Sequence, residues 1–396
     1  MTLQKLTKSE KIVVSYTVLL TLWAFFTGFH LAYNDLIGGL LGGRIGLLLY
    51  VGYFFTLMRI SKLQKNIFDH SNDRNILFLG FTFIVIYILT WISAGVSETI
   101  FLFAILHVAG LLLLRDDLKL RTFDMFVKVL ALILLVSLIE FLIYFIFGKG
   151  VVIGYVERPG PDMKTQKFYQ LLFNLIIDNP LFFYRFQSLA EEPGVVGTTC
   201  AFLIFLVKGK KQYKWEYFIF ILSGVLSFSL AFYFLFIIHL FSGKLSIKLL
   251  IVSLVVCVIL YYVFQDFLDH FIINRLTDRS IEEIDNRGTG DFKYQFQRAL
   301  DNGNLWLGIY HGDGIDGAGL KIFIWRYGLI SLFLIFISYS IVFFKGLVKY
   351  KTPIGLSLVF FLVFWISFYQ RHYITSMEYM VCYFLAPLIL KDGKQS

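Results

Sequence analysis

Charged residues are scarce in this sequence. Only 16% of its 396 residues are charged, whereas 58% are hydrophobic and 19% are aromatic, and the mean hydropathy is +0.74. In soluble globular domains about 25% of residues are charged, so the composition excludes an ordinary soluble protein. Apolar runs recur along the whole length with no hydrophilic domain between them. We therefore expect an all-α polytopic integral membrane protein that forms a single transmembrane domain over residues 1–396.

Cysteines are also few, and no internal repeat is visible. Cys200, Cys257 and Cys382 all lie in apolar runs, which excludes a disulfide framework or a zinc site and indicates packing roles. The net charge of +9 does not point to nucleic acid as a partner. Most lysines lie in short connections between apolar runs, where the positive-inside rule already accounts for them.

Eleven apolar runs are candidate membrane spans. They cover residues 12–30, 36–58, 76–93, 99–114, 124–148, 194–208, 216–241, 248–266, 319–344, 353–370 and 376–390. The first run has no small-residue cleavage site and is followed at once by another run, so it is predicted to be retained as a helix. The basic connections predict that both termini are cytoplasmic.

The run at 216–241 conflicts with a single crossing, because basic connections flank it on both sides. Two half-length helices of about 12 residues, each about 18 Å long, would resolve the conflict as a short hairpin. Its apex would be the Ser-Phe-Ser sequence at 227–229. The hairpin gives about 12 spans. A re-entrant loop satisfies the charges equally well. With a re-entrant loop or a single span over 216–241, the protein would have about 11 spans.

This topology places two long hydrophilic segments on the outer side of the membrane. Loop one is residues 149–193 and loop two is residues 267–318. Within loop one, the apolar stretch 167–180 is predicted to be a helix lying in the membrane interface. Within loop two, residues 291–304 predict a second such helix, with Phe292 and Phe296 on one face and Asp-Asn-Gly at its end.

Arginine and lysine divide differently between the two predicted sides. Most lysines are inside, whereas seven arginines are outside: Arg158, Arg185, Arg275, Arg279, Arg287, Arg298 and Arg371. The positive-inside rule for membrane orientation requires only positive charge, which lysine also supplies. The preference for arginine in the outer segments therefore needs another cause. The planar fork of its guanidinium binds phosphate and carboxylate groups bidentately. An anionic ligand at the outer surface is one explanation, and ordinary ion pairs with the many acidic residues of the same loops are the other.

Two further features concern the apolar runs and loop two. Arg44 and Glu140 lie at similar predicted depths and would form an intramembrane pair. We expect this pair to have a structural role first.

The glycine-rich segment 311–319 contains G-x-G-x-x-G, but no strand–turn–helix unit surrounds it, so it is not a dinucleotide fingerprint. It would form a plain loop or present backbone N–H groups to an anion.

These features together resemble a known family, the Wzy-type O-antigen and polysaccharide polymerases, which are related to the O-antigen ligases. The shared features are many spans, two large outer loops with arginines, and Arg185 followed by Glu191-Glu192-Pro193 at the entry of a span. The Ser-Phe-Ser element at 227–229 and a loose glycine motif, from Leu307-Gly308 to Gly328-Leu329-Ile330, add to the resemblance. Two departures are Gly194, where many relatives have serine, and the absence of the histidine typical of ligases.

The resemblance implies an inner-membrane glycosyltransferase of bacteria with a periplasmic active site. Such an enzyme transfers a growing glycan from undecaprenyl pyrophosphate to a lipid-linked repeat unit and needs no cofactor or metal. Arg185, Arg287, Arg298 and Arg158 would bind pyrophosphate or glycan, and Arg185 with Glu191 or Glu192 would be catalytic. Membrane lipid and a chain-length regulator are the other implied partners. One alternative is an O-antigen ligase. The other is a lipid-linked oligosaccharide flippase or other transporter, and the long outer loops argue against this second alternative.

Overall fold

A computed structural model of the protein describes residues 6–26, 42–63, 69, 72–94, 100–159, 165–178, 184–242, 290–309, 319–370 and 374–391. These residues form a helical architecture with twelve α-helices and one small sheet. Before the sheet, the helices are α1 (Lys8–Phe25), α2 (Gly42–Leu63), α3 (Asp73–Ala94), α4 (Ile100–Leu112) and α5 (Asp116–Phe147). After the sheet come α6 (Pro193–Val207), α7 (Lys214–Leu226), α8 (Leu230–Phe241), α9 (Gly290–Asp301), α10 (Leu320–Tyr350), α11 (Ile354–Gln370) and α12 (Met377–Ile389).

The helices have the character expected of a protein embedded in a membrane. In the described ranges, three segments are long and apolar enough to cross a membrane: Asp73–Ser93, Asp116–Val151 and Leu320–Tyr350. Their apolar side chains also face outward, as at Leu77, Ile146 and Val348, which are 71%, 73% and 80% exposed. The number of spans remains a prediction. The predicted run at 248–266 lies outside the described residues.

The two ends of the bundle differ. The sheet follows the last turn of α5, and we call this end the sheet end. The opposite end carries the first turn of α5 and the lysine-bearing C-terminal part of α10, where the Tyr350 hydroxyl donates to Asp116 Oδ1 at 2.7 Å. We call it the lysine end. The two ends are separated along α5 by 32 residues, or about 48 Å.

Helix α6 lies at the centre of the bundle. All of its residues from Gly194 to Val207 are buried, and it packs against α7, α8, α11 and α12. Because its 15 residues span only about 22 Å, α6 is shorter than a bilayer core of about 30 Å. The chain must therefore enter or leave this helix inside the bundle.

The apolar run at 216–241 forms two short helices, as the charges predicted. Helices α7 and α8 contain 13 and 12 residues and meet at residues 227–229. The Tyr217 hydroxyl, at the start of α7, lies 2.8 Å from His239 Nε2, at the end of α8. The two helices therefore run antiparallel as a half-length hairpin, and Lys208 at the end of α6 donates to the His239 carbonyl at 2.8 Å. The hairpin opens toward the lysine end.

Loop one corrects the prediction of an interfacial helix at 167–180. It contains a three-stranded antiparallel sheet in the order β1 (Gly154–Pro159), β2 (Thr165–Gln170) and β3 (Leu175–Ile177). Residues Tyr155 and Tyr169 face each other across β1 and β2, and Tyr169 faces Ile176 across β2 and β3. An apolar stretch can satisfy its backbone hydrogen bonds as a helix or as a strand, and here β2 pairs with β1, a segment that lies outside 167–180.

Loop two contains the predicted helix. Helix α9 ends at Asp301, and Gly303 adopts a left-handed φ of 69° just after it. Phe292 is buried and its ring packs edge-on against Trp325 of α10, with centroids 5.8 Å apart. The shared apolar face of Phe292 and Phe296 therefore docks α9 onto α10 and not only onto a membrane surface.

Candidate functional site at two helix breaks

Arg185 binds the apex of the α7–α8 hairpin. Its Nε donates to the Ser227 carbonyl at 3.0 Å and its Nη2 to the Phe228 carbonyl at 3.2 Å. The neighbouring Phe186 N–H donates to the Leu226 carbonyl at 2.9 Å. Carbonyls at a helix C-terminus lack partners within the helix and carry partial negative charge, so a guanidinium is a suitable partner. The half-buried Arg185 thus joins loop one to the end of α7.

The N-terminal half of α6 contacts the same apex. A Cβ added at Gly197 would lie 2.6 Å from Ser229 Cβ and 2.9 Å from Ser227 Oγ. Only glycine allows this approach, so the apex lies directly against the N-terminal half of α6. Arg185 and this half of α6 therefore meet at one element, the Ser-Phe-Ser sequence at 227–229.

The two predicted carboxylates lie at the N-terminus of α6. Glu192 is its N-cap residue and Pro193 its first residue, and the Glu192 side chain makes no capping hydrogen bond. Glu191 is exposed and Glu192 is half-buried. The helix dipole favours negative charge at this position. The two carboxylates lie within ten residues of Arg185 along the chain.

A largely buried polar cluster joins α5 to loop one. The sequence identified only one of its members, Glu140. Glu140 Oε2 accepts a hydrogen bond from the Phe173 N–H at 2.8 Å. One turn earlier on α5, Ser137 Oγ donates to the Phe173 carbonyl at 2.7 Å and lies 2.8 Å from Ser188 Oγ. The expected partner of Glu140, Arg44, has its side chain outside the described residues. Ser137 and Ser188 went unrecognised because isolated serines in apolar runs carry no spacing signal.

A second helix break lies in α10. Gly328 has φ 84° and ψ 164° inside this helix, and Gly308 in loop two has φ 82°. The two backbones touch, since a Cβ on Gly328 would lie 2.6 Å from Gly308 N and one on Gly308 would lie 2.9 Å from Gly328 N. The two halves of the loose glycine motif, 20 residues apart, therefore meet directly.

Loop two supplies the hydrogen bonds that the break in α10 removes. The Leu329 N–H donates to the Leu305 carbonyl at 2.9 Å, and the Ile330 N–H donates to the Trp306 carbonyl at 3.2 Å. The Ile309 N–H donates in return to the Trp325 carbonyl at 2.7 Å. Non-helical backbone within a membrane bundle requires such partners. These amides at the break are occupied and do not form an anion site.

The structure describes the other three predicted arginines only in part. Arg298 is exposed on α9. Arg158 belongs to β1, but its side chain lies outside the described residues, as does all of Arg287 and the glycine-rich segment from 311 to 318. The structure therefore brings Arg185 and the α6 entry together at one apex and leaves the joint role of the four arginines a prediction.

The described residues contain no group of three or more His, Cys, Asp or Glu side chains that could hold a metal ion. No known protein family, no characterised protein and no solved structure matches this chain.

Proposed function

We propose that the protein is a polysaccharide polymerase of the inner membrane of bacteria, acting on undecaprenyl-pyrophosphate-linked glycans at its sheet end. The observation that carries the proposal is the convergence on residues 227–229. Arg185 of loop one binds this apex through two hydrogen bonds, and the N-terminal half of α6 lies against it at Gly197. Broken helices with loops folded onto them are typical of substrate sites in membrane bundles.

The proposed reaction needs positive charge and a base. A hydroxyl oxygen of the acceptor repeat unit attacks the anomeric carbon of the donor glycan, and the bond from that carbon to pyrophosphate breaks. Undecaprenyl pyrophosphate leaves with the bonding electrons, and Arg185 would stabilise the charge that develops on it. Glu191 or Glu192 would accept the proton of the attacking hydroxyl. Arg158, Arg287 and Arg298 would bind pyrophosphate or sugar in the same space.

Arg185 would combine two roles. Its bonds to the apex hold loop one against α7, while its positive charge would lie next to the incoming pyrophosphate. Fixing the guanidinium in this way preorganises it, since its orientation would not have to be established during the reaction. Replacement by lysine removes the bidentate fork but keeps the charge, which separates the two roles in an experiment.

The test compares the surface polysaccharide of a host that lacks the gene after complementation with matched variants. We expect the wild-type chain to restore a ladder of repeats and Arg185→Ala to leave a single repeat unit, with activity lower by about 100-fold or more because a preorganised charge contact is lost. Arg185→Lys should restore the ladder only in part. Arg59→Ala, which removes an exposed arginine of α2, is the control and should restore the ladder fully at equal protein level.

Other outcomes identify the alternatives. A full ladder with Arg185→Ala would remove Arg185 from the site. A host without the gene that accumulates lipid-linked polymer outside the inner membrane would indicate a ligase. Repeat units trapped on the cytoplasmic side would indicate a flippase and would contradict the polymerase.

A further inference from the structure

A small basic cleft lies at the lysine end, at the opposite end of α5 from loop one. Its volume is about 40 Å³, and its polar lining comes from Asn72, Asn75, Lys119, Lys345, Lys349 and Tyr350. A water molecule needs roughly 10–15 Å³ of such space. The cleft therefore admits a group of a few heavy atoms, such as a phosphate.

Lysines define the chemistry of this cleft. Lys119 lies at its base with only 2% of its surface exposed, and its Nζ lies 3.2 Å from Asp116 Oδ1. Lys349 Nζ lies 2.9 Å from Asp69 Oδ2, and Lys345 Nζ donates to Asn75 Oδ1 at 3.4 Å.

Three ammonium groups thus face two carboxylates, so the set carries an excess positive charge. Amide and hydroxyl groups beside the lysines provide further hydrogen bonds for an anion. Asp116 and Asp69 pair with Lys119 and Lys349 and are not among the residues that line the cleft.

Apolar surface continues from the mouth of the cleft. Lys345 and Lys349 lie one turn apart on α10, and Phe344 and Val348 on the adjoining stripe of this helix are 40% and 80% exposed. In a membrane this stripe faces acyl chains, and the lysines lie at the level of lipid headgroups. A ligand with a phosphate and hydrocarbon chains matches both surfaces at once.

We propose that this cleft binds the phosphate of an anionic phospholipid, with Lys119 at the base of the site and Lys345 and Lys349 at its mouth. Basic pockets between membrane helices bind anionic lipid headgroups through the same combination of charge and adjoining apolar surface. The bound lipid would join α3, α5, α10 and α12, the four helices whose residues line the cleft together with Leu112 of α4. The site is independent of the proposed polymerase chemistry.

The experiment uses the purified full chain in a neutral detergent after lipid removal. Thermal unfolding is measured with phosphatidylglycerol, with zwitterionic phosphatidylcholine and with inorganic phosphate, and native mass spectrometry counts the lipids retained. We expect phosphatidylglycerol to raise the unfolding temperature more than phosphatidylcholine does. If inorganic phosphate also raises it and competes with the lipid, the site takes free phosphate as well; if it has no effect, the lipid is the source of the phosphate.

Variants locate the effect. Lys345→Gln and Lys349→Gln should each weaken the apparent affinity for phosphatidylglycerol by about fivefold, as expected for one lysine near an anionic surface. Lys211→Gln removes an exposed lysine between α6 and α7 and should leave the affinity unchanged. Lys345→Gln keeps a hydrogen-bond donor for Asn75, so its unliganded form is expected to fold even if Lys349→Gln does not.

The proposal would be overturned in either of two ways. Phosphatidylglycerol and phosphatidylcholine could shift the unfolding temperature of the wild-type chain equally. Alternatively, Lys211→Gln could lose as much affinity as Lys345→Gln, which would show a diffuse attraction of the whole lysine end.

Discussion

At the scale of single residues, Gly308 and Gly328 connect loop two to the bundle. Each has a φ near +80°, which an L side chain rarely adopts. A Cβ at Gly328 would also lie 2.4 Å from the Trp306 carbonyl oxygen. The backbone conformation and the lack of room for a Cβ therefore both require glycine at these two positions. This is the physical reason for the loose glycine motif.

We expect Gly328→Ala to lower the free energy of unfolding by about 1–3 kcal/mol through backbone strain alone, and by more if the two backbones must separate. The measurement is the thermal unfolding of the purified chain in detergent. Gly355→Ala in α11 is the control, because a Cβ there meets nothing within 4 Å, and it should be neutral or stabilising by up to about 1 kcal/mol. Equal unfolding temperatures for the two variants would disprove the close contact.

At the scale of elements, the sheet of loop one is held by a half-buried carboxylate of α5. Glu140 accepts the Phe173 N–H at 2.8 Å in the turn between β2 and β3. The sequence identified Glu140 as an unusual charge in an apolar run but assigned it to a pair with Arg44. The partner that the structure gives Glu140 is the backbone amide of Phe173. A pattern of side chains in the sequence cannot indicate such a partner.

Glu140→Leu should therefore loosen loop one, whereas Glu140→Gln should not, since a glutamine Oε1 can still accept the amide hydrogen bond. The leucine leaves the Phe173 N–H without this partner, which destabilises the turn between β2 and β3, so we expect the leucine variant to expose loop one to limited proteolysis at a lower temperature than the wild type. If Glu140→Gln is cleaved as readily as Glu140→Leu, the charge matters and not the hydrogen bond to Phe173.

At the scale of the whole molecule, the structure has two chemically different ends. In the described residues, loop one, the apex at 227–229 and the break at Gly328 lie toward the sheet end, whereas the connection between α6 and α7 and the lysines of α10 lie toward the lysine end. The predicted membrane orientation assigns the sheet end to the periplasm and the lysine end to the cytoplasm.

Labelling of single cysteines checks this orientation. In a chain whose native cysteines are replaced by alanine, Gly150→Cys lies beyond α5 with open space around it, and Gln212→Cys lies in the exposed connection between α6 and α7. A membrane-impermeant thiol reagent should label Gly150→Cys in intact spheroplasts and Gln212→Cys only after lysis. The reverse pattern would invert the topology and move the proposed active site to the cytoplasm.

Some elements were predictable and others were not, for identifiable reasons. The half-length hairpin could be predicted because lysines flank the run at 216–241, and helix α9 because Phe292 and Phe296 share a face. The helix predicted at 167–180 was wrong because β1 pairs with β2 across a separate segment of loop one. Of the proposed site, the sequence identified Arg185 and the apex separately but not their contact.

The sequence by itself determined an apolar helical protein and the positions of most of its described helices, because hydropathy acts locally and can be read along the chain. Tertiary structure alone decided that Arg185 binds the carbonyls at 227–229 and that Gly308 touches Gly328. The same holds for the lysines of α5 and α10, which line one cleft. These contacts join segments distant in sequence, and they depend on how orphaned backbone groups and buried charges find partners when the helices pack.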